Sequence, residues 1–230
     1  MRHTAAAESS ATESNLSYEI RGGGLINIAM IILAAGLSAR MGRFKPLLPV
    51  GEYPAVLRCV RVASKAGVQD ITVVTGHLHE RVESLLSAEA PDVRLVLNRR
   101  YEDGMFTSVQ TGVLSLAEET DGFFLLPADC CAAAPETLAA LIGEFAKADM
   151  KAVAHPVCNG QRGHPPLVPA GHSRDIISYN GENGLRGSLG TLYSVEVETG
   201  DPGILLDMDT PEDYAALLEY LKIKTDTGKR

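Results

Sequence analysis

Three cations lie within six residues, shortly after a loop of small residues. The cations are Arg40, Arg43 and Lys45, and the loop is residues 34–36, with the sequence AAG. Backbone N–H groups in such a loop can point at anionic oxygens, because no bulky side chain keeps a ligand away from them. Arg adds a planar two-pronged donor and Lys a compact point charge. The pattern predicts a polyphosphate site, with a strand followed by a solvated basic loop as the alternative.

Acidic side chains farther along the chain could hold a metal ion. Asp129 comes just after the apolar run 123–126, where a carboxylate is well placed for Mg²⁺. The alternative, a cap for a helix that begins at Pro135, would require a residue nearer to that proline. Asp207 and Asp209 are two residues apart on a segment predicted to be extended, so both carboxylates could converge on one cation.

Alternating strand and helix patterns position these residues and predict an α/β fold with a largely parallel sheet. Strands are predicted at 28–33, 71–75, 93–97, 123–126, 152–154, 192–197 and 204–208. Helices are predicted at 54–65, 79–89, 107–118, 135–148, 172–177, 185–189 and 211–221. Open sheets of this kind bind ligands beyond the carboxyl ends of their strands. Gly36, Asn98 and Asp129 are all predicted to lie there.

Two further loops carry polar side chains that could touch a ligand. Thr107 and Ser108 stand at the predicted start of a helix, where capping and ligand binding are about equally favoured. Arg162 and His164 lie on a loop shaped by Gly and Pro. A lone His is usually structural or solvated, so this loop alone does not identify a function. The motifs GxxxxGK[ST] and GxGxxG are both absent, which argues against a P-loop and against a dinucleotide-binding domain.

Composition limits the class of protein. The chain has 230 residues, 45% of them apolar and 22% charged, which suits one domain with a sizeable core. Residues 1–24 are predicted to be a disordered tail or a cloning remnant, and residues 25–230 the domain. The net charge of −8 argues against a nucleic-acid partner, and no apolar run is long enough for a membrane span. Four cysteines without a CxxC pair are typical of reduced thiols in a cytoplasmic protein.

Residues 33–51, with the sequence LAAGLSARMGRFKPLLPVG, resemble the signature loop of the MobA-like nucleotidyltransferases. The most similar branch is that of the molybdenum cofactor cytidylyltransferases, and the resemblance continues in order to about Tyr214. It implies a Rossmann-like three-layer sandwich with a mainly parallel, mixed sheet, of the nucleotide-diphospho-sugar transferase type.

The resemblance also implies roles for particular residues. The backbone of Leu33, Ala34, Ala35 and Gly36 would hold the nucleotide phosphates. The residues expected to act in catalysis are Arg40, Lys45 and Asp129. The residues expected to hold Mg²⁺ are Asp129 and Asp207, with Asp209 less favoured than Asp207. The resemblance in NRRYEDGMFTSVQTGV assigns base and ribose contacts to Asn98, Gly104 and Ser108. GQRGHPPLV resembles an element that faces the pterin substrate and assigns contacts there to Arg162 and His164.

The function implied is transfer of CMP from CTP to the phosphate of a molybdopterin-type cofactor, with a molybdoenzyme as recipient. Ala35 stands where the guanylyl-transferring branch tends to have a second Gly, which favours CTP over GTP. Three alternatives stay open: a sugar- or polyol-phosphate nucleotidyltransferase, a non-catalytic carrier of a nucleotide or pterin, and an oxidoreductase. The carrier stays open because Cys130 and Cys131 follow Asp129 where the family usually has a Gln or Met and then Pro.

Overall fold

The computed structural model describes residues 25–227, with side chains described as far as residue 224. The predicted tail at residues 1–24 lies outside the described residues. The strands are β1 (Ile28–Ala34), β2 (Pro49–Val50), β3 (Tyr53–Pro54), β4 (Asp70–Thr75), β5 (Arg94–Leu97), β6 (Gly122–Pro127), β7 (Val153–Cys158), β8 (Gln161–Arg162), β9 (Leu167–Pro169) and β10 (Ser194–Glu198). The α-helices are α1 (Ala55–Lys65), α2 (His79–Glu89), α3 (Met105–Val113), α4 (Pro135–Lys147), α5 (Ser173–Ser178), α6 (Gly184–Leu189) and α7 (Pro211–Thr227).

Eight of the strands form one sheet, in the order β10-β7-β9-β6-β1-β4-β5, with β8 paired to β7. The strands pair in parallel except at β9, which runs antiparallel to both β6 and β7, and at the antiparallel β7–β8 pair. β2 and β3 form a separate antiparallel pair just before α1. The mixed, mostly parallel sheet confirms the predicted fold class.

β1 is an interior strand of the sheet, between β6 and β4, and is buried on both faces. Met30 and Ile32 belong to one apolar cluster, and Ile31 and Leu33 to the other, because successive side chains of a strand point to opposite faces. Helices α1, α2, α4 and α7 contribute to the first cluster, and α3, α5 and α6 to the second. The result is a sheet covered on both faces, as continuous apolar strands require.

The structure differs from the sequence prediction in several elements. The predicted strand at 204–208 is wrong, because Pro202–Leu205 forms a 3-10 helix whose start is capped by the Asp201 side chain. The helix predicted at 107–118 runs from Met105 to Val113. Four strands were not predicted, because two or three residues are too few for a periodic signal: β2, β3, β8 and β9. Among the described residues, none of the helices has the length and apolar character needed to cross a membrane.

Candidate active site

The carboxyl ends of β1 and β6 bring two predicted regions together. The two strands pair in parallel, with Leu33 opposite Pro127. The N–H of Ala128 continues the pairing by donating to the carbonyl of Leu33 at 3.0 Å. The loop after β1 and the turn that carries Asp129 are therefore neighbours, as expected for residues that follow adjacent parallel strands.

Lys45 is buried at the start of a short 3-10 helix, with its ammonium group between two carboxylates. Its Nζ lies 3.0 Å from Oδ2 of Asp129 and 2.6 Å from Oδ1 of Asp209. Burial by itself would lower the pKa of Lys45, but hydrogen bonds to the two carboxylates raise it above its ordinary value. Lys45 therefore stays charged at neutral pH.

Arg40 also reaches Asp209, with Nη1 at 2.6 Å from Oδ2. The side chain of Arg40 is 73% exposed, so this ion pair lies at the rim of the site. Arg43 is exposed, and within residues 25–227 no ion pair joins it to Asp129 or Asp209. Hydrogen bonding to Lys45 and the charges of Lys45 and Arg40 hold the pKa of Asp209 below its ordinary value, against a smaller effect of burial.

Asp207 lies close to the same acidic side chains. Its Oδ1 accepts a hydrogen bond from the backbone N–H of Asp209 at 3.3 Å. Burial raises the pKa of Asp207, and the negative charges of Asp209 and Asp129 raise it further. The charge of Asp129 thus acts on Asp207, while the contact with Lys45 belongs to Asp209. Among the described residues, no group of three or more His, Cys, Asp or Glu side chains forms a complete metal site.

A cavity of about 300 Å³ opens beside these charges. It is lined by Lys45 and Asp129 and by residues from the loop after β1, among them Leu33, Ala34 and Gly36. Gly104 and Ser108 line it from the start of α3, and so do Tyr101 and Met105, which sequence reasoning did not single out. A small ligand in this cavity would contact both the backbone of the loop and the Lys45 ammonium group.

Ala35 is buried and is turned away from this cavity. Its carbonyl accepts from the N–H of His77 at 3.1 Å, and its methyl group lies 2.8 Å from the point where a Cβ on Gly76 would stand. Any effect of the Ala35 methyl group on the choice of base is therefore indirect, through the close packing of the two turns.

Asn98 is buried next to Ser108, with its side-chain amide already bonded. Nδ2 donates to Oγ1 of Thr107 and to Oγ of Ser108, both at 2.9 Å, and Oδ1 accepts from the N–H of Arg100 at 2.9 Å. The network joins the end of β5 to the first turn of α3. Asn98 does not line the cavity itself, but it fixes the position of Ser108, which does.

Arg162 and His164 occupy different environments although they are two residues apart. Nε of Arg162 lies 2.8 Å from Oε1 of Glu196 on β10, at the surface. His164 is largely buried, and its backbone N–H donates to the carbonyl of Ile204 at 2.9 Å. Burial lowers the pKa of His164, and the charges of Asp129 and Asp207 oppose this shift. The imidazole is therefore neutral at pH 7.

The two cysteines after Asp129 lie in a buried, well-anchored turn. Sγ of Cys130 lies 3.8 Å from Oδ1 of Asp129, and Nε of Arg58 donates to the carbonyl of Cys131 at 2.9 Å. Burial raises the pKa of the Cys131 thiol to about 12 and raises that of Cys130 as well. Arg58 was missed from sequence, because an Arg on an amphipathic helix carries no signal for a contact with a distant carbonyl.

A larger cavity, of about 540 Å³, lies at the amino end of β1. Its lining includes Asp70 and Glu119 and, within the described part of the chain, no Lys or Arg. It is also at the opposite end of the strands from Asp129 and Lys45. This cavity therefore lacks the charges that a polyphosphate needs.

A family profile described as the MobA-like NTP transferase domain matches residues 30–197. The chain belongs to the MobA-like NTP transferase family. The family relationship explains why the basic loop, the cavity and the Asp129 turn occur together at one end of the sheet. A MobA-like transferase is a nucleotidyltransferase, and the residues described above form its candidate active site.

Curated relatives and solved structures agree with the family assignment. The molybdenum cofactor cytidylyltransferase of Escherichia coli (strain K12) is 31% identical over 198 residues, covering 84% of this MobA-like chain and 96% of the relative. A nucleotidyl transferase from Methanothermobacter thermautotroptrophicus has a TM-score of 0.71 and 24% identity over 86% of this chain and 98% of that one. The crystal structure of Rv0371c from Mycobacterium tuberculosis H37Rv has a TM-score of 0.69 and 23% identity over 84% and 98%. The two structures establish the shared fold.

Proposed function

We propose that this nucleotidyltransferase transfers CMP from CTP to the terminal phosphate of a molybdopterin-type molybdenum cofactor, with Mg²⁺ as its metal. The observation that carries the proposal is the contact of Lys45 with Asp129 and Asp209 beside the cavity lined by the loop after β1. Nucleotidyl transfer needs cations that face a triphosphate and carboxylates that face a metal in the same place. The choice of cytidine and of the molybdenum cofactor is supported by the relative from Escherichia coli.

The proposed reaction is a direct displacement. A phosphate oxygen of the acceptor attacks the α-phosphorus of CTP, and the bond from that phosphorus to the bridging oxygen breaks. Pyrophosphate leaves with the electron pair. The backbone of Leu33, Ala34 and Gly36, which line the cavity, would hold the nucleotide phosphates. Lys45 and Arg40 would neutralise the charge that builds up on the leaving pyrophosphate. No side chain needs to form a covalent bond with the substrate.

Asp129 and Asp207 are the residues that would hold Mg²⁺, and Asp209 lies within reach of the same region. When bound, Mg²⁺ supplies charge neutralisation for the phosphate oxygens. The donor set fits such an ion, because Mg²⁺ usually takes one or two carboxylates and completes its shell with water and phosphate. The raised pKa of Asp207 also fits, since burial and then the charges of Asp209 and Asp129 disfavour its ionised form, which a nearby cation would stabilise.

The acceptor would approach from the side of His164. Among the described residues, the buried Nδ1 of His164 has no hydrogen-bond partner, so a polar group of the acceptor could bond to it. Arg162 would have to leave Glu196 to contact the same molecule. The product would then pass to a molybdoenzyme as recipient.

The proposal is tested by incubating the purified protein with CTP, Mg²⁺ and molybdenum-loaded molybdopterin, and measuring pyrophosphate release and the cytidylated product. Asp129→Asn is the matched inactive variant. We expect release with CTP that exceeds release with GTP, and none with sugar or polyol phosphates as acceptors. Release no faster than that of Asp129→Asn would contradict the proposal, and tighter binding of GTP than of CTP would contradict the choice of base.

A further inference from the structure

We propose that Asp209 is a positioning residue that takes the place of phosphate when no nucleotide is bound. Its two carboxylate oxygens each bind one cation of the basic loop, Oδ1 to Lys45 and Oδ2 to Arg40, both at 2.6 Å. Two oxygens of one phosphate group would engage an ammonium and a guanidinium in the same way. The inference rests on the proposed nucleotide site and assigns Asp209 a role in anion exchange rather than in metal binding.

The contacts of the neighbouring carboxylates separate their roles. Both oxygens of Asp209 are engaged by cations, so a metal ion could bind Asp209 only after an ion pair had broken. Oδ1 of Asp207 instead accepts a backbone N–H at 3.3 Å. Asp129 shares one oxygen with Lys45 and has the other near the weakly donating thiol of Cys130. Asp207 and Asp129 are therefore the carboxylates better disposed toward a metal.

The fold sets Asp209 in place before any ligand arrives. Thr210 and Asp213 form a reciprocal cap immediately after it, with Asp213 N donating to Oγ1 of Thr210 at 3.2 Å and Oγ1 of Thr210 donating to Asp213 at 2.7 Å. The hydroxyl of Tyr214 donates to the carbonyl of Pro49 at 2.5 Å. The start of α7 is thus fastened to the chain that leaves the basic loop, which keeps Asp209 opposite both cations.

This arrangement has two opposing effects on a phosphate ligand. Asp209 holds Arg40 and Lys45 in orientations suited to phosphate, so less ordering is needed when the ligand binds. It also competes with the ligand for the same cations. Asparagine keeps an acceptor oxygen for one of the cations but carries no charge, so Asp209→Asn should lose more of the competition than of the ordering. We therefore expect it to strengthen the binding of a polyphosphate in the absence of metal, whereas loss of a metal ligand would weaken binding only when Mg²⁺ is present.

The test is isothermal titration of inorganic tripolyphosphate into the wild type, Asp209→Asn, Asp207→Asn and Glu212→Gln, in EDTA and again with Mg²⁺. Glu212 is exposed and close in sequence, so its variant makes the same change in net charge. In EDTA we expect Asp209→Asn to bind about 3- to 10-fold more tightly than the wild type, the effect of losing one or two partly exposed ion pairs. Glu212→Gln should change the affinity less than twofold.

Each result has a definite meaning. The inference is overturned if, in EDTA, Asp209→Asn binds tripolyphosphate no more tightly than Glu212→Gln does. A loss of affinity that appears only in the titration with Mg²⁺ would make Asp209 a metal ligand. A variant that is merely unstable would bind less tightly, so misfolding cannot imitate the expected gain. The wild-type titration with CTP and Mg²⁺ is a separate arm: its failure counts against the proposed function, whereas the EDTA comparison decides the role of Asp209.

Discussion

The Lys45 ammonium group lies 3.0 Å from Oδ2 of Asp129, although 84 positions separate the two residues in the sequence. The contact joins the basic loop after β1 to the acidic turn after β6. It forms because β1 and β6 are adjacent parallel strands whose carboxyl ends lie together. Only about a tenth of the Lys45 side chain is exposed, so the pair is sheltered from solvent to a degree that surface ion pairs are not.

Replacing Lys45 by Met should abolish most of the nucleotidyltransferase activity and leave the fold intact. Met keeps an apolar stem in the buried position but removes the charge that faces Asp129 and the proposed triphosphate. We expect kcat to fall about 100- to 1000-fold, the usual loss when one preorganised group that stabilises the transition state is removed. Lys65→Met, on the exposed side of α1, is the control. Activity within tenfold of the wild type, measured by pyrophosphate release, would exclude an essential role for Lys45.

Replacing Asn98 by Ala should destabilise the protein and weaken nucleotide binding. The change removes three hydrogen bonds and leaves the N–H of Arg100 and the hydroxyls of Thr107 and Ser108 without this partner. A loss of about 2–3 kcal/mol is expected, because unsatisfied buried groups cost more than the net value of a hydrogen bond. Urea unfolding measures the loss in the free energy of unfolding. A higher KM for CTP would report that displacement of α3 weakens nucleotide binding. The exposed Asn180→Ala should change neither, and equal stability of the two variants would contradict this role for Asn98.

Replacing Gly163 by Ala should disturb the loop that carries His164. A Cβ at this position would lie 2.3 Å from the carbonyl oxygen of Ile204, so the backbone must move and the bond from His164 N–H to that carbonyl is strained. We expect a cost of about 1–3 kcal/mol in the free energy of unfolding, typical of overpacking, and a higher KM for the acceptor. Gly171→Ala meets no atom within 4 Å and serves as the control. Unchanged acceptor kinetics in Gly163→Ala would separate this loop from acceptor binding.

Replacing Asp201 by Asn should cost about 2–4 kcal/mol of stability, since this buried carboxylate joins three elements. Oδ2 accepts from the N–H of Ala134 at 2.7 Å and from Thr137 at 2.8 Å, and Oδ1 accepts from Gly203 and Tyr220. In asparagine one of the two oxygens is replaced by an NH₂ group, which cannot accept a hydrogen bond from the donors on that side. Chemical unfolding of Asp201→Asn and of the exposed control Asp92→Asn measures the difference.

The contribution of Asp201 should also depend on pH. Burial raises the pKa of Asp201, but the hydrogen bonds from Ala134 and Thr137 and the charge of Lys224 outweigh burial and leave it below its ordinary value of 3.8. The unfolded state therefore takes up the proton first as the pH falls. The stabilisation is complete above pH 3.8 and is lost as the pH falls through the folded pKa. The difference in unfolding free energy between wild type and Asp201→Asn should accordingly be constant near neutrality and shrink below pH 3.8; growth of that difference on acidification would contradict this.

The sequence by itself determined the fold class and the location of the candidate site. Continuous apolar strands such as β1 require cover on both faces, and their alternation with amphipathic helices leaves few topologies other than a mostly parallel sheet. The cations and small residues after β1 are close together in the sequence, so their proximity needs no tertiary information. The placement of Asp129 beyond a parallel strand follows from the same rule about carboxyl ends.

The tertiary structure alone decided which side chains meet. Asp207 and Asp209 are equivalent by sequence pattern, yet the cap formed by Thr210 and Asp213 and the docking of α7 give Asp209 the contact with Lys45. Asn98 looks like a ligand-binding residue, but its amide is used by α3, and Arg162 is held by Glu196 on a strand far along the chain. Such choices depend on rotamers and on contacts between distant segments, which local patterns do not encode.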